Sequence, residues 1–393
     1  MKIALVSPYD FAYPGGVNNH VSALERQFTK MGHEVRVIAP ASRVVPDFGD
    51  RFIHIGKPLP IRTADTVIRI TISLGLASKI KAVLAEENFD IINIHEPFMP
   101  MLSTGVLRFS HTANVGTFHG FNPHIRRTSI GYNFWRPLST IWLKRRVYKL
   151  HGKIAVSKPA MEFANKHLSG HYNIIPNGID LEQFSPDVAP IDEFCDGKLN
   201  ILFVGRMEKR KGLKYLLEAY KQVKKEIPDS RLIIVGPGTK LRKKYEKQVK
   251  DDELKDVVFV GYVSHDELPR YYKTADIYCA PATGMESFGI VLLEAMAVGT
   301  SIVASNIDGY ASVVTHGVEG LLVPPKDSDS LAQALISLLR DELLRQQMGD
   351  RGRIKAQDYS WEHIAQMVLN YYMKILSQPP WKKQFSEFEA TSV

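Results

Sequence analysis

Short apolar runs alternate with glycine turns and helix-period segments along this chain, in two series interrupted once. Lys2–Ser7, Val35–Ala39, Ile91–His95, Val115–Phe118 and Lys153–Val156 have strand length, and Val17–Met31 has helical spacing closed by Gly32. Strands apolar on successive residues are buried on both faces, which predicts a parallel sheet covered by helices. Pro, Asp and Gly then crowd the chain after residue 176 and the periodicity lapses, predicting a linker over 179–198. A second series follows at Asn200–Val204, Arg231–Val235, Val257–Val260, Asp276–Ala280, Ser301–Ala304 and Leu321–Val323, with helices clearest at Leu213–Val223 and Leu331–Leu339. The expectation is two Rossmann-like α/β domains, 1–178 and 199–360, with strand ends facing across a cleft. A last helix over about 361–377 is expected to pack back on the first domain. A chain of 393 residues is long enough for two such cores.

Composition narrows the class. The 45% hydrophobic and 23% charged content is that of a globular protein. No apolar run reaches the roughly 18 residues of a membrane span. The start of the chain lacks the pattern of a signal peptide. Cys195 and Cys279 form neither a metal-type pair nor a disulfide framework, so a reducing cytoplasm is expected. The net charge of +8 points to a polyanionic partner. From Pro97 to Met161 there is no Asp or Glu, while Arg108, Arg126, Arg127, Arg136, Lys144, Arg145, Arg146, Lys149, Lys153 and Lys158 are set among Trp135, Trp142 and other aromatics. Some of these fold inward or face solvent in a bland reading. In the sharper one, Arg126, Arg127, Arg145 and Arg146 form a patch for an anionic membrane surface.

Four constellations sit where strands end. Pro14-Gly15-Gly16-Val17 opens a helix, a turn that serves either as a plain connection or as a phosphate cradle at a helix N-terminus. Arg206 and Lys211, after the first strand of the second series, are either solvated charges or fixed cations for a diphosphate. Glu286 and Glu294 flank Ser287-Phe288-Gly289-Ile290. A carboxylate among Leu292, Leu293, Ala295 and Met296 is costly to bury without a partner, which favours ligand contact. The free N–H groups of Phe288, Gly289 and Ile290 suit a phosphate or sugar hydroxyls. His119 ends a strand of the first series. Asp327-Ser328-Asp329 follows two prolines and precedes a helical run, so capping explains it better than metal binding. No His/Cys cluster has zinc spacing, and no Gly-x-Gly-x-x-Gly follows the first strand, so neither a metal centre nor a dinucleotide dehydrogenase is expected.

Together these residues resemble the retaining two-Rossmann-domain (GT-B) glycosyltransferases that carry Glu-x7-Glu, here Glu286 and Glu294. Within that group the likeness is to the bacterial phosphatidylinositol mannosyltransferases. It rests on Ser7-Pro8-Tyr9, Pro14 to Val17, Gly32 to Val35, His95-Glu96-Pro97, Thr117-Phe118-His119, Ile154 to Ser157, Pro176-Asn177-Gly178, Gly205-Arg206, Lys211-Gly212 and Glu286 to Gly299. The resemblance implies that Arg206 and Lys211 clamp the diphosphate and that Gly15 and Gly16 turn beside it. It implies that Glu286, with backbone at Phe288–Ile290, binds the donor sugar, that Glu294 binds the ribose, and that the backbone near Val263 meets the base. Tyr9, Asn18 and His119 are then acceptor-side residues, with His119 next to the reacting sugar.

The implied reaction is retaining hexosyl transfer without a metal. GDP-mannose is favoured over UDP-glucose as co-substrate, and a lipid such as phosphatidylinositol is the acceptor, met on the inner face of the cell membrane. No nucleic-acid partner is implied. The chain departs from the mannosyltransferase pattern at Asn18, Phe98 and Gly120, and keeps only Lys79 and Lys81 of a denser basic cluster. UDP-glucose transfer to diacylglycerol or to a soluble sugar, and an inactive nucleotide-binding module, are the competing readings.

Overall fold

The computed structural model describes residues 1–13, 15–62, 67–71, 73, 75–120, 148–238 and 240–378. Two compact units emerge, residues 1–176 together with the chain from Trp361, and residues 177–360.

In the first unit the strands are β1 (Lys2–Val6), β2 (Glu34–Ala39), β3 (Phe52–His54), β4 (Pro58–Arg62), β5 (Val67–Thr71), β6 (Ile91–His95), β7 (Ala113–Phe118), β8 (Gly152–Ala155) and β9 (Asn173–Ile174). Seven form a parallel sheet in the order β3-β2-β1-β6-β7-β8-β9, and β4 and β5 make a separate antiparallel hairpin. Its described α-helices before residue 177 are α1 (Gly16–Lys30), α2 (Leu76–Glu87), α3 (Leu102–Phe109) and α4 (Lys158–Asn165). Along β1, Ala4 and Val6 pack on one face while Ile3 and Leu5 pack on the other. That two-sided burial is why the run reads as continuously apolar.

The second unit has β10 (Leu199–Val204), β11 (Ser230–Val235), β12 (Val257–Gly261), β13 (Ile277–Ala280), β14 (Ser301–Ser305) and β15 (Gly320–Val323). They form a parallel sheet in the order β12-β11-β10-β13-β14-β15. Around it run α5 (Leu213–Glu226), α6 (Arg242–Asp251), α7 (Leu268–Thr274), α8 (Ile290–Val298), α9 (Asp308–Ala311), α10 (Ser328–Arg340) and α11 (Glu342–Ala356). Ile201 and Phe203 belong to one core layer and Leu202 to the other. Asp327 caps α10 by accepting from the N–H groups of Asp329 and Ser330, the role expected of it.

The expected linker is a difference. Ile179, Phe184 and Phe194 are buried in the second unit's core, and Asn200 donates to the Phe194 carbonyl at 3.0 Å. The segment is irregular but packed, because its apolar residues have a core to enter. The last helix, α12 (Trp361–Ser377), belongs to the first unit. Ile364, Val368 and Tyr372 on one face, with Ala365 and Leu369 beside them, enter the layer that holds Ile3 and Leu5. Tyr372 Oη lies 2.6 Å from Asn93 Nδ2, so the helix also satisfies a buried amide.

Candidate functional site

In the second unit the strand order reverses at β10, which has β11 on one side and β13 on the other. Ligands of open parallel sheets bind at the carboxyl ends of strands at such a reversal. The loops after β10 and β13 meet there. Thr283 N–H donates to the Arg210 carbonyl at 2.8 Å. Gly212 ends the first loop with φ +78, and a Cβ on it would lie 1.7 Å from the Pro281 carbonyl oxygen. The two loops are therefore in backbone contact.

This contact delivers cations to a carboxylate. Lys211 Nζ lies 2.8 Å from Glu286 Oε1, and Arg210 pairs with the same oxygen. Arg210 also reaches Glu208 at 2.9 Å. Arg206 is more exposed and pairs with Glu208 at 3.3 Å. The sequence reading singled out Arg206 and Lys211; the structure adds Arg210, which it missed. Glu286 is backed by Gly309, whose hypothetical Cβ would fall 2.1 Å from the Glu286 carbonyl oxygen.

Gly289 N-caps α8 with φ +102, and no side chain caps the helix. The N–H groups of its first turn thus point out of the helix as donors. Phe288 is buried while Ile290 is half-buried, so at this position the polar contribution is backbone. Glu294 lies in the second turn of α8 and is only 7% exposed. Tyr272 of α7 donates its hydroxyl to Glu294 Oε2 at 2.7 Å. This partner is what makes the burial of the carboxylate tolerable. Burial pushes the Glu294 carboxyl up to about 7, opposed by the Tyr272 hydrogen bond and by the charge of Lys211. Lys211 thus acts on both glutamates of the pair. Val263 follows β12, half-buried beside the exposed Tyr262.

The first unit repeats the topology, with its reversal at β1 between β2 and β6. Gly15 is extended at φ −174, and a Cβ on Gly15 or Gly16 would meet nothing within 4 Å. No described neighbour or left-handed backbone requires glycine there, so the small residue leaves open room at the N-terminus of α1; Pro14 lies outside the described residues. Asn18, expected on the acceptor side, makes hydrogen bonds inside the turn. It accepts from Ser7 Oγ at 2.8 Å and donates to the carbonyls of Asp10 and Tyr13 at 2.9 and 3.1 Å. It holds the loop that follows β1.

At the ends of β6 and β7 a buried polar group forms. His95 Nδ1 lies 2.8 Å from His119 Nε2. Glu96, with φ +51, accepts the His119 N–H at 2.9 Å. Tyr9 lies beside it, its hydroxyl pushed well above the usual range by burial and then by the Glu96 charge. His20 of α1 packs edge-on to the His119 ring at 4.6 Å between centroids and to Trp361 at 5.0 Å. Burial, and then His20, holds both His95 and His119 well below the usual imidazole range, so both are neutral. Among the described residues, His20, His95 and His119 bring ring nitrogens within 4.8 Å of one another, close enough to share an ion. His95 Nδ1 and His119 Nε2 are engaged with each other. The sequence named His119 alone, because 24 residues separate it from His95 and only the parallel register brings them together.

Arg126, Arg127, Arg145 and Arg146 lie outside the described residues, as do Trp135 and Trp142. Among the described residues no helix is long and apolar enough to cross a membrane.

Residues 190–355 match the family model described as glycosyl transferases group 1, and residues 14–183 match glycosyltransferase family 4. The chain is similar to a phosphatidyl-myo-inositol mannosyltransferase of Mycolicibacterium smegmatis, 36% identical over 95% of this chain and 93% of the relative. Its fold is similar to that of sucrose-phosphate synthase from Thermosynechococcus elongatus, with TM-score 0.70 and 25% identity over 96% of this chain and 99% of the other. It is also similar in fold to the Anabaena protein HepE in complex with UDP-glucose, with TM-score 0.72 and 17% identity over 95% and 100% of the two chains.

Proposed function

Because this chain belongs to the group 1 glycosyltransferases, we propose that it transfers mannose from GDP-mannose, with retention of configuration, to a lipid acceptor such as phosphatidylinositol. The observation that carries the donor reading is the pairing of Arg210 and Lys211 on Glu286 next to buried Glu294. Two cations held side by side neutralise a leaving diphosphate without a metal ion. Glu286, relieved of one cation as the diphosphate binds, accepts hydroxyls of the donor sugar. The N–H groups opening α8 add donors, and Glu294 accepts the ribose diol. In the transfer, the bond from the anomeric carbon to the diphosphate oxygen breaks and a bond to the acceptor hydroxyl oxygen forms on the same face. The hydroxyl proton passes to the departing phosphate oxygen, so no protein nucleophile is needed.

Mannose and phosphatidylinositol are favoured by the 36% identity to an enzyme named for them. The acid-free basic and aromatic stretch from Pro97 to Met161 supports work on an anionic membrane surface. We place the reaction on the inner face of the cell membrane, with His119 and Tyr9 on the acceptor side. The test is product formation with vesicles containing phosphatidylinositol, diacylglycerol or neither, supplied in turn with GDP-mannose and UDP-glucose, with and without EDTA. Mannosylated phosphatidylinositol, formed equally with EDTA, is the expected product. Glucosyl transfer to diacylglycerol would replace this reading, and a need for divalent metal would remove the metal-free clamp.

A pH effect follows from Glu294. A carboxyl raised to about 7 is largely protonated at pH 6 and ionised at pH 8. The ionised form accepts the ribose diol more strongly, so affinity for GDP should rise with pH by up to about tenfold over that range. Glu294→Gln carries no such titration. Calorimetry should give the variant weaker binding whose pH dependence is only that of GDP itself. Parallel pH curves for the two proteins would remove Glu294 from the ribose site.

A further inference from the structure

His119 has one imidazole nitrogen already committed. Its Nε2 lies 2.8 Å from Nδ1 of His95, so one proton sits between two neutral rings. Two arrangements are possible. In one, His119 donates, and His95 then carries its proton on Nε2. That nitrogen is buried with no hydrogen-bond partner, so an N–H there would be an orphaned buried donor. In the other, His95 donates from Nδ1, and its Nε2 is left as an unused lone pair. An under-used acceptor is the milder defect, because orphaned buried N–H groups are rare.

The main chain is held as firmly as the ring. Glu96 accepts the His119 N–H at 2.9 Å and also the Gly120 N–H. It does so from a left-handed backbone, at φ +51, which a residue of this size adopts only where its surroundings fix it. Gly120 has little room for more, since a Cβ there would come within 3.1 Å of Glu96 Oε1. His95 itself is anchored in register, opposite Thr117 in the β6–β7 ladder. Ring and backbone of His119 are thus gripped by two consecutive residues, the last of the neighbouring strand and the one after it.

We propose that His95 is a positioning residue that fixes His119 in the Nδ1–H tautomer, which makes His119 a hydrogen-bond donor to a ligand oxygen and removes it as a base. Its accepting nitrogen is spent on His95. The oxygen it meets is a sugar hydroxyl or a phosphate oxygen, an assignment that rests on the acceptor-side reading of His119 above. The tautomer itself does not depend on that reading.

The test uses the full chain labelled with 15N in its imidazole rings. Long-range 1H–15N correlation spectra give the tautomer of each ring, with the His119 signals assigned by their loss in His119→Gln. Wild type should show His119 protonated on Nδ1 with a bare Nε2, unchanged between pH 6 and pH 8. His95→Asn keeps an amide donor near the position of Nδ1 and should preserve both tautomer and transfer activity. His95→Leu should release the His119 ring into mixed tautomers. It should lower kcat by about 10-fold to 100-fold, the scale of misplacing one group by about an ångström. An Nε2–H tautomer in wild type would overturn the proposal, and so would an unchanged His119 spectrum in His95→Leu. If the spectrum changes in His95→Leu while transfer stays at the wild-type rate, the tautomer assignment stands and the acceptor-side role of His119 falls. Should His95→Leu fold poorly, the wild-type and His95→Asn spectra decide the matter alone.

Discussion

Lys211→Ala should lower turnover by about 10²-fold to 10³-fold while leaving the fold intact. The magnitude is that of removing one preorganised donor from a developing charge, about 2.7–4 kcal/mol. Lys211 is well placed for this. It is fixed on Glu286 at 2.8 Å before any ligand arrives, and its charge is felt at Glu294. Arg210 still neutralises Glu286 in the variant, so no buried carboxylate is left bare and the thermal midpoint should change little. Steady-state kinetics should show the loss mainly in kcat, because the leaving diphosphate gains charge in the transition state. Wild-type turnover in the variant would exclude Lys211 from the clamp. A loss confined to KM would make it a ground-state contact only.

Gly212→Ala should destabilise the second unit by about 2–5 kcal/mol. Two costs combine: about 1–2 kcal/mol for an L-residue in the left-handed region, and about 1–3 kcal/mol for forcing atoms into packed structure. Here the obstacle is backbone, since the new Cβ would fall 1.7 Å from the Pro281 carbonyl oxygen at φ +78. Gly317 is the control, with φ +79 and nothing within 4 Å of its Cβ. Gly317→Ala should therefore show the conformational cost alone. For a unit of this size each kcal/mol lowers the midpoint by about 2–4 °C, so Gly212→Ala should melt about 4–20 °C lower. Equal midpoints for the two variants would mean that the β10 and β13 loops are free to move apart.

Most of the sheet was legible because its strands are buried on both faces. Runs such as Ile201-Leu202-Phe203 and Leu232-Ile233-Ile234 need no long-range information to be read as parallel strands. Glu294 was legible because a carboxylate in an apolar helix is conspicuous, and Glu286 because it stands in the loop that leads into that helix. What the sequence hid depends on direction or on distant pairing. Lys209, Arg210 and Lys211 are three consecutive cations, and only the short 3₁₀ turn over Lys209–Lys211 decides which of them meet Glu286. Tyr272 serves Glu294 from another helix, 22 residues away. Composition misled at residues 179–198, where the aromatic Phe184 and Phe194 were the overlooked sign of burial. The hydrogen bonds of Asn18 within the turn were hidden because a polar residue beside a glycine turn has the same appearance whether it meets a ligand or holds the turn.

The return of α12 to the first unit has a consequence for how the protein is made. When the ribosome has finished residue 176, β1 and its neighbours exist, but the layer of Ile3, Leu5 and Phe28 still lacks Ile364, Val368 and Tyr372. Asn93 at that moment lacks its Tyr372 partner. The missing helix emerges only after the whole of residues 177–360, a delay of roughly ten to forty seconds at about 5–20 residues per second. During that interval the nascent first unit presents an uncovered apolar face, whereas the second unit, drawn from one continuous segment, completes itself as it appears. The half that starts first is therefore the half that finishes last, and the one with the longer claim on chaperones.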